Sequence, residues 1–245
     1  MSSKANRQKR ESRKQGPANE SMNESTLDFI EYKPAASKPI EALNESQRIH
    51  RDLLIHDDLV IAIGSAGTGK TYLASAVAAD LLLGNHYKTI VMTRPNVEVG
   101  KSLGYLPGDK EDKYAPYLEP FKKGLVDRLG SNKFKCDYNR KILPKPLQYM
   151  RGETFDDCIM LLDEAQNTTI TEMKMFLTRI GINTKVFITG DVKQTDLGCK
   201  NSGLAWLVDQ LEKRQSRFEI VRYNKNDCVR SGLCKEMLEL IENEL

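Results

Sequence analysis

The chain has 245 residues, 40% of them hydrophobic and 29% charged, and its 37 basic and 34 acidic side chains leave a formal net charge of +3. This composition is typical of a globular protein with one or two domains. Residues 1–24 hold six basic and three acidic side chains, so the rest of the chain is formally neutral. A strongly basic body, as expected of a protein that coats duplex DNA, is thereby excluded.

The apolar stretches of the chain are short. Residues 59–63, for example, are far too few to span a bilayer. The basic N-terminus is not followed by the apolar segment of a secretory signal. Five cysteines occur without a C-x-x-C pair, which suits a reducing compartment. We therefore expect a cytoplasmic protein, in a bacterial cell or in the host of a phage, that binds no membrane.

Residues 1–26 are rich in polar and charged side chains, which predicts a disordered basic tail. Such a tail can contact nucleic acid or an acidic partner, or it can serve only to keep the chain soluble. We predict that residues 27–245 form one domain. Apolar residues recur at helical spacing from Ile40 to Leu54, which predicts an amphipathic helix.

Five short runs of apolar and β-branched residues then alternate with helical segments. Helices are predicted over 70–83, before Gly84 and Asn85, and from the capping box Thr169–Glu172 to Gly181. The runs show little polar alternation, as expected of strands buried on both faces. The pattern predicts an α/β fold, one open and mostly parallel sheet that is flanked by helices. The predicted strands are 59–63, 89–93, 158–162, 185–189 and 218–223.

The middle of the chain, residues 96–151, breaks this rhythm. It contains five of the nine prolines together with several glycines. We interpret it as a partly helical insertion over one edge of the sheet and not as a separate domain.

A glycine-rich segment from Gly64 to Thr71 satisfies the pattern G-x-x-x-x-G-K-[ST] between a predicted strand and a predicted helix. Glycines let the backbone N–H groups turn towards phosphate oxygens, and the helix N-terminus adds partial positive charge. Lys70 is expected to reach the β- and γ-phosphates of ATP, and the Thr71 hydroxyl to bind Mg²⁺. The predicted nucleotide-binding residues are Gly64, Ser65, Ala66, Gly67, Thr68, Gly69, Lys70, Thr71 and Tyr72.

A second motif ends an apolar strand with Asp163 and Glu164. Ligands bind at this carboxyl end of the strands in open α/β sheets. We expect Asp163 to hold Mg²⁺ through water and Glu164 to polarise the attacking water, which favours hydrolysis over transfer to a small molecule. The alternative is a strand end capped by solvated acids. The third motif, 187–194, follows the next strand; Gln194 is the predicted sensor of the γ-phosphate, the alternative being an ordinary turn.

Together these motifs resemble the PhoH family of phosphate-starvation-associated ATPases, whose core is similar to one RecA-like domain of superfamily 1 helicases. The resemblance covers about residues 40 to 240. It implies ATP hydrolysis with Mg²⁺, remodelling or unwinding of RNA or single-stranded nucleic acid, and homo-oligomeric rings such as hexamers. The further segments that carry it are Thr93–Pro95, Leu103–Asp109, Tyr149–Gly152, Asp163–Thr168, Met173–Arg179, Thr189–Asp191 and Asp227–Arg230.

Four residues gain a role only through this resemblance. Gln47 is similar in position to the glutamine that reads adenine, the alternative being an exposed helix residue. Arg94 matches a segment that meets nucleic acid, the alternative being a structural ion pair, and Arg151 is a candidate contact to nucleotide or nucleic acid. Arg230 is a candidate for supplying charge to the γ-phosphate, from the same chain or from a neighbour in a ring, or else for pairing with Asp227 or a neighbouring acid.

Two other functions compete with a nucleic-acid-remodelling ATPase. One is an oligomeric switch, controlled by nucleotide, that acts on a protein partner. The other is a small-molecule P-loop kinase, which would not need Glu164 beside Asp163. No second RecA-like domain is seen in the sequence, so we expect a motor to assemble its sites between subunits.

Overall fold

The computed structural model describes residues 38–95, 119–198, 200–229 and 232. The predicted α/β fold is confirmed, and these residues contain six parallel strands in one sheet. The strands are β1 (Leu59–Ile63), β2 (Thr89–Thr93), β3 (Ile142–Pro144), β4 (Cys158–Leu162), β5 (Thr184–Gly190) and β6 (Ile220–Arg222). Their order across the sheet is β3-β2-β4-β5-β1-β6. The predicted tail, 1–26, lies outside the described residues.

The helix predicted over 70–83 has those bounds in the structure. Asn44 caps the first helix, so this helix begins later than predicted. Among the described residues, no helix combines the length and the apolar composition needed to cross a bilayer. The helices are α1 (Glu45–His56), α2 (Lys70–Leu83), α3 (Glu119–Leu129), α4 (Ser131–Asp137), α5 (Ile170–Leu177) and α6 (Gly203–Lys213), with 3₁₀ turns at Leu147–Met150, Ala165–Asn167 and Lys225–Asp227.

The capping box of α5 forms as predicted, with Thr169 and Glu172 each accepting a hydrogen bond from the other's backbone N–H. Gly181 does not stop this helix, which ends four residues earlier. The chain instead pairs with Phe155, whose N–H donates to the Arg179 carbonyl and whose carbonyl accepts from Gly181. A Cβ at Gly181 would meet that Phe155 carbonyl at 2.5 Å, so the glycine permits a close approach of two segments.

Helices cover both faces of the sheet. Alternate residues of β1 enter opposite cores, Val60 and Ala62 on one face and Leu59, Ile61 and Ile63 on the other. Leucines and alanines of α1 and α2 fill the first core, and α5 and α6 fill the second. Every residue of β1 and β4 is buried, as expected for central parallel strands with helices on both faces.

The described part of the predicted insertion extends the fold. β3 pairs with β2 at the sheet edge, although only five strands are predicted from the sequence. Three residues are too short a run to give a periodic signal, and Pro144 is tolerated there because an edge strand leaves one side unpaired. Gly124 of α3 packs against α2, where a Cβ would meet the Tyr72 carbonyl at 2.6 Å.

A buried ion pair joins α2 to α3. Arg128 donates from Nε and Nη2 to the two carboxylate oxygens of Asp80, both at 2.7 Å. Its Nη1 donates to the Lys38 carbonyl at 2.7 Å. The Asp80 side chain is fully buried and that of Arg128 is 9% exposed. The pair therefore fixes the segment before α1 and two helices to one another.

Candidate nucleotide-binding site

Three strands deliver the predicted motifs to one edge of the sheet. β5 lies between β1 and β4, so the loop after β1 and the acids after β4 stand on either side of the end of β5. A cavity of about 970 Å³ opens there, within the size range of sites for small molecules. Lys70, Thr71, Asp163, Glu164 and Gln194 line it.

The glycine-rich loop connects β1 to α2 as predicted. Gly64 has φ 142°, and a Cβ there would meet the Tyr223 carbonyl at 2.6 Å. Gly69 has φ 85°, a left-handed conformation that a side chain disfavours, and caps the N-terminus of α2. The loop therefore needs Gly64 for its close approach to Tyr223, the residue after β6, and Gly69 for the turn into the helix.

The Lys70 ammonium lies inside the loop. Its Nζ donates to the carbonyls of Gly64 and Ser65, at 2.6 and 2.8 Å, and to Thr68 Oγ1 at 3.2 Å. These contacts place a positive charge at the N-terminus of α2, where the helix dipole also favours anions. The arrangement suits a phosphate group, whose oxygens would replace the loop oxygens as acceptors of the hydrogen bonds from the ammonium.

Asp163 joins three elements of the site. Its Oδ1 accepts from Thr71 Oγ1 at 2.8 Å and from Thr189 Oγ1 at 2.6 Å. The residue is buried, with 4% of its surface exposed. A hydroxyl and a carboxylate fit Mg²⁺, which prefers oxygen ligands and takes few from the protein when phosphates and waters supply the rest. Among the described residues no group of three or more His, Cys, Asp or Glu side chains could hold a metal ion.

Glu164 has φ 52° and ψ 38°, a left-handed conformation that is rare for a residue with a side chain. Such strain is concentrated at functional sites. Glu164 Oε2 accepts from Gln166 Nε2 at 2.6 Å, and Gln166 Oε1 accepts from the Asp191 N–H at 3.0 Å. Gln166 thus ties the carboxylate to the end of β5.

Gln166 was not among the residues predicted to act. It is buried and lies within the D-E-A-Q segment, so the motif itself was the signal that could have identified it. Gln194, the predicted sensor, is exposed and lines the cavity, with its N–H donating to the Asp191 carbonyl at 3.1 Å. The two glutamines therefore occupy different places around the same strand end.

Arg94 forms an ion pair at the site. Its Nη2 lies 3.1 Å from Glu164 Oε1, and its Nε lies 3.5 Å from Asp163 Oδ2. The Arg94 side chain is 19% exposed. The ion-pair alternative for Arg94 is thus what the structure shows, and its partners are the two acids predicted to act on nucleotide.

Gln47 is buried against the phosphate-binding loop, so the alternative of an exposed helix residue is wrong. Its Nε2 donates to the Thr68 carbonyl at 3.0 Å, and its Oε1 accepts from the Leu43 N–H at 2.8 Å. Tyr72 also lines the cavity, and Lys123 Nζ lies 5.7 Å from the centre of its ring.

The segment after β6 returns to the loop. The Val229 N–H donates to the Gly67 carbonyl at 3.0 Å. Asp227 Oδ2 accepts from Ser46 Oγ at 2.9 Å, which joins this segment to α1, a role that sequence reasoning missed. Arg230 lies outside the described residues. Arg151 is exposed after a 3₁₀ turn and is not among the described residues that line the cavity.

A neutral pair lies beneath the loop. His50 Nδ1 and the Tyr223 hydroxyl are 2.8 Å apart, with both residues buried. Burial, assisted by the charge of Lys70, lowers the pKa of His50 to about 3, and burial raises the pKa of Tyr223. His50 therefore adds no positive charge near the loop at neutral pH.

Comparisons with known proteins show which family the sequence matches. A family model described as PhoH, PhoH-like protein, matches residues 39–242. A PhoH-like protein of Bacillus subtilis is 44% identical over 215 residues, which cover 86% of this chain and 67% of that protein. Protein PhoH of Escherichia coli K12 is 41% identical over 208 residues, 82% of this chain and 58% of the relative. The chain thus spans about three-fifths to two-thirds of the length of these relatives.

Proposed function

This chain belongs to the PhoH family, an ATPase-like family of P-loop proteins, and we propose on that premise that it binds ATP with Mg²⁺ and hydrolyses it. The observation that carries the proposal is the meeting of four side chains at one cavity. Lys70 and Thr71 are the first two residues of α2, and Asp163 and Glu164 directly follow β4. The two pairs are far apart in sequence, yet Thr71 and Asp163 are in direct contact.

Each side chain has a role suited to its position. Lys70 and the loop N–H groups bind the β- and γ-phosphates, and Thr71 and Asp163 hold Mg²⁺. When held by these two residues, Mg²⁺ would supply positive charge to the phosphate oxygens. Glu164 orients the attacking water and accepts its proton. Gln194, exposed in the same cavity, is our candidate for contacting the γ-phosphate.

Adenine recognition is proposed for Gln47. Its amide makes one donor and one acceptor contact to the backbone, which leaves a second N–H and a second lone pair on the carbonyl oxygen. A glutamine amide can use these groups to pair with N7 and N6 of adenine.

Gln47→Ala is expected to reduce the preference for ATP over GTP by about 10-fold, the loss for one good amide–base pair. Competition binding with the two nucleotides measures that ratio. Arg48→Ala, a neighbouring exposed side chain on α1, is the matched control. Equal weakening of ATP and GTP would show that Gln47 only supports the loop.

We also propose that hydrolysis is coupled to the remodelling of RNA or single-stranded nucleic acid by a homo-oligomeric ring. The family resemblance supports this proposal, and Arg230, one residue after the segment that contacts the loop, is our candidate for a charge supplied within or between subunits. Arg151, exposed on the surface, remains a candidate contact to nucleic acid.

Steady-state ATP hydrolysis tests both proposals when it is measured without nucleic acid and with single-stranded RNA, single-stranded DNA or duplex. Hydrolysis should exceed that of Lys70→Ala, and one single-stranded species should stimulate it several-fold, less so as salt rises. Hydrolysis that ignores every nucleic acid would instead favour a nucleotide-controlled switch acting on a protein partner. Hydrolysis no higher than that of Lys70→Ala would refute the ATPase.

A further inference from the structure

Arg94 is placed beside the catalytic acids by the sheet itself. It follows Thr93, the last residue of β2, and β2 pairs with β4 so that Thr93 lies opposite Leu162. The Asp163 N–H donates to the Thr93 carbonyl at 3.1 Å. This hydrogen bond extends the pairing of β2 with β4 by one residue beyond Leu162. Arg94 and the pair Asp163–Glu164 therefore leave neighbouring strands at the same level.

Both oxygens of the Glu164 carboxylate are engaged. Oε1 lies 3.1 Å from Arg94 Nη2, and Oε2 accepts from Gln166 Nε2 at 2.6 Å. Arg94 also approaches Asp163 through Nε, 3.5 Å from Oδ2. The Arg94 and Asp163 side chains are 19% and 6% exposed, so their charge pairing is less screened by water than a surface ion pair, whereas the Glu164 side chain is 44% exposed.

These contacts compete with the proposed chemistry. A general base must offer an oxygen to water, whereas a guanidinium on that oxygen holds it in place. Mg²⁺ must approach Asp163, and a cation already at that carboxylate repels it. The left-handed backbone conformation of Glu164 is also strained, so the residues around it must maintain it.

We propose that Arg94 is a positioning residue that restrains hydrolysis, by holding Glu164 and Asp163 until a phosphate oxyanion takes over its guanidinium. This inference rests on the proposed ATPase function. Arginine pairs with phosphate as well as with carboxylate, so the oxyanion is either the γ-phosphate of ATP or a phosphate of a nucleic-acid strand. Glu164 then turns an oxygen to water, and Asp163 becomes available to Mg²⁺.

The test compares wild type with Arg94→Gln and Arg94→Lys. The first readout is the affinity for a fluorescent non-hydrolysable ATP analogue with and without Mg²⁺. The gain in affinity from Mg²⁺ should be about 3- to 10-fold larger in Arg94→Gln, the size of one lost charge-assisted contact, and intermediate in Arg94→Lys. Arg179→Gln, a partly buried arginine that binds the Glu153 carbonyl, is the control and should match wild type.

The second readout is turnover without nucleic acid, which should rise by about 3- to 10-fold in Arg94→Gln. A Mg²⁺ gain that is unchanged or smaller, or turnover that falls, would overturn the inference. Failure of the proposed ATPase is a separate result, in which wild type and Arg94→Gln both hydrolyse no faster than Lys70→Ala; the Mg²⁺ readout still decides the role of Arg94. Stimulation by single strands that disappears in Arg94→Gln identifies a strand phosphate as the releasing oxyanion, and stimulation that persists identifies the γ-phosphate.

Discussion

Glu164→Gln is expected to lower the kcat of ATP hydrolysis by about 10²- to 10⁴-fold, the range attributed to general acid–base catalysis. The amide keeps the size of the side chain and can still contact Gln166, but it cannot accept a proton from water. Because Lys70, Thr71 and Asp163 remain, the Kd for ATP should change little. Steady-state hydrolysis at saturating ATP and equilibrium binding measure the two quantities separately.

Glu219→Gln is the matched control, since Glu219 is exposed at the start of β6, at the edge of the sheet. Turnover that stays at the wild-type level in Glu164→Gln would remove the role proposed for this carboxylate. The comparison with Arg94→Gln is informative, because both variants break the same ion pair while the expected effects on turnover have opposite signs. A shared decrease would mean that the ion pair itself is required for activity.

Asp80→Ala is expected to reduce the free energy of unfolding by about 3–5 kcal/mol, as is usual when one partner of a buried ion pair is removed. The substitution leaves the Arg128 guanidinium buried between α2 and α3 without its two carboxylate contacts. A loss of this size is a large share of the roughly 5–15 kcal/mol that stabilises most proteins. Urea denaturation followed by circular dichroism measures it.

Glu45→Ala provides the contrast, because it removes only an exposed ion pair with Arg48 and should reduce the free energy of unfolding far less than Asp80→Ala does. Adding Arg128→Met to Asp80→Ala should recover part of the stability, since replacing both members of a buried pair by apolar groups is often tolerated. A loss below about 1 kcal/mol for Asp80→Ala alone would contradict the view that this pair joins the two helices.

Much of the site could be predicted because its chemistry is local in the chain. The spacing of glycines before Lys70 is a backbone requirement of a loop that must turn directly from a strand into a helix. The two acids after β4 could likewise be placed at the carboxyl edge, because parallel strands all end on the same side of a sheet. The central strands could be predicted from uninterrupted apolar runs and the end of α2 from a glycine, because these signals are also local in the chain.

Other features have no local signature. β3 is three residues long, and its place beside β2 follows from pairing and not from periodicity. From the sequence, either of the two glutamines near the end of β5 could contact Glu164. In the structure Gln166 makes this contact, because it packs so closely against Gly190 that a Cβ there would meet its Oε1 at 2.6 Å. The ends of the Asp80–Arg128 pair likewise lie on separate helices.

The sequence alone predicted the α/β class and the family, and it led us to propose residues for phosphate and Mg²⁺ chemistry, because each motif consists of side chains only a few positions apart. The tertiary structure decided which charged and polar groups meet: Arg94 with Glu164, Gln47 with the phosphate-binding loop, and Asp227 with α1. These partners are brought together by strand order and helix packing. Their pairing energies depend on burial and on distances of about 3 Å, which the order of residues along the chain does not specify.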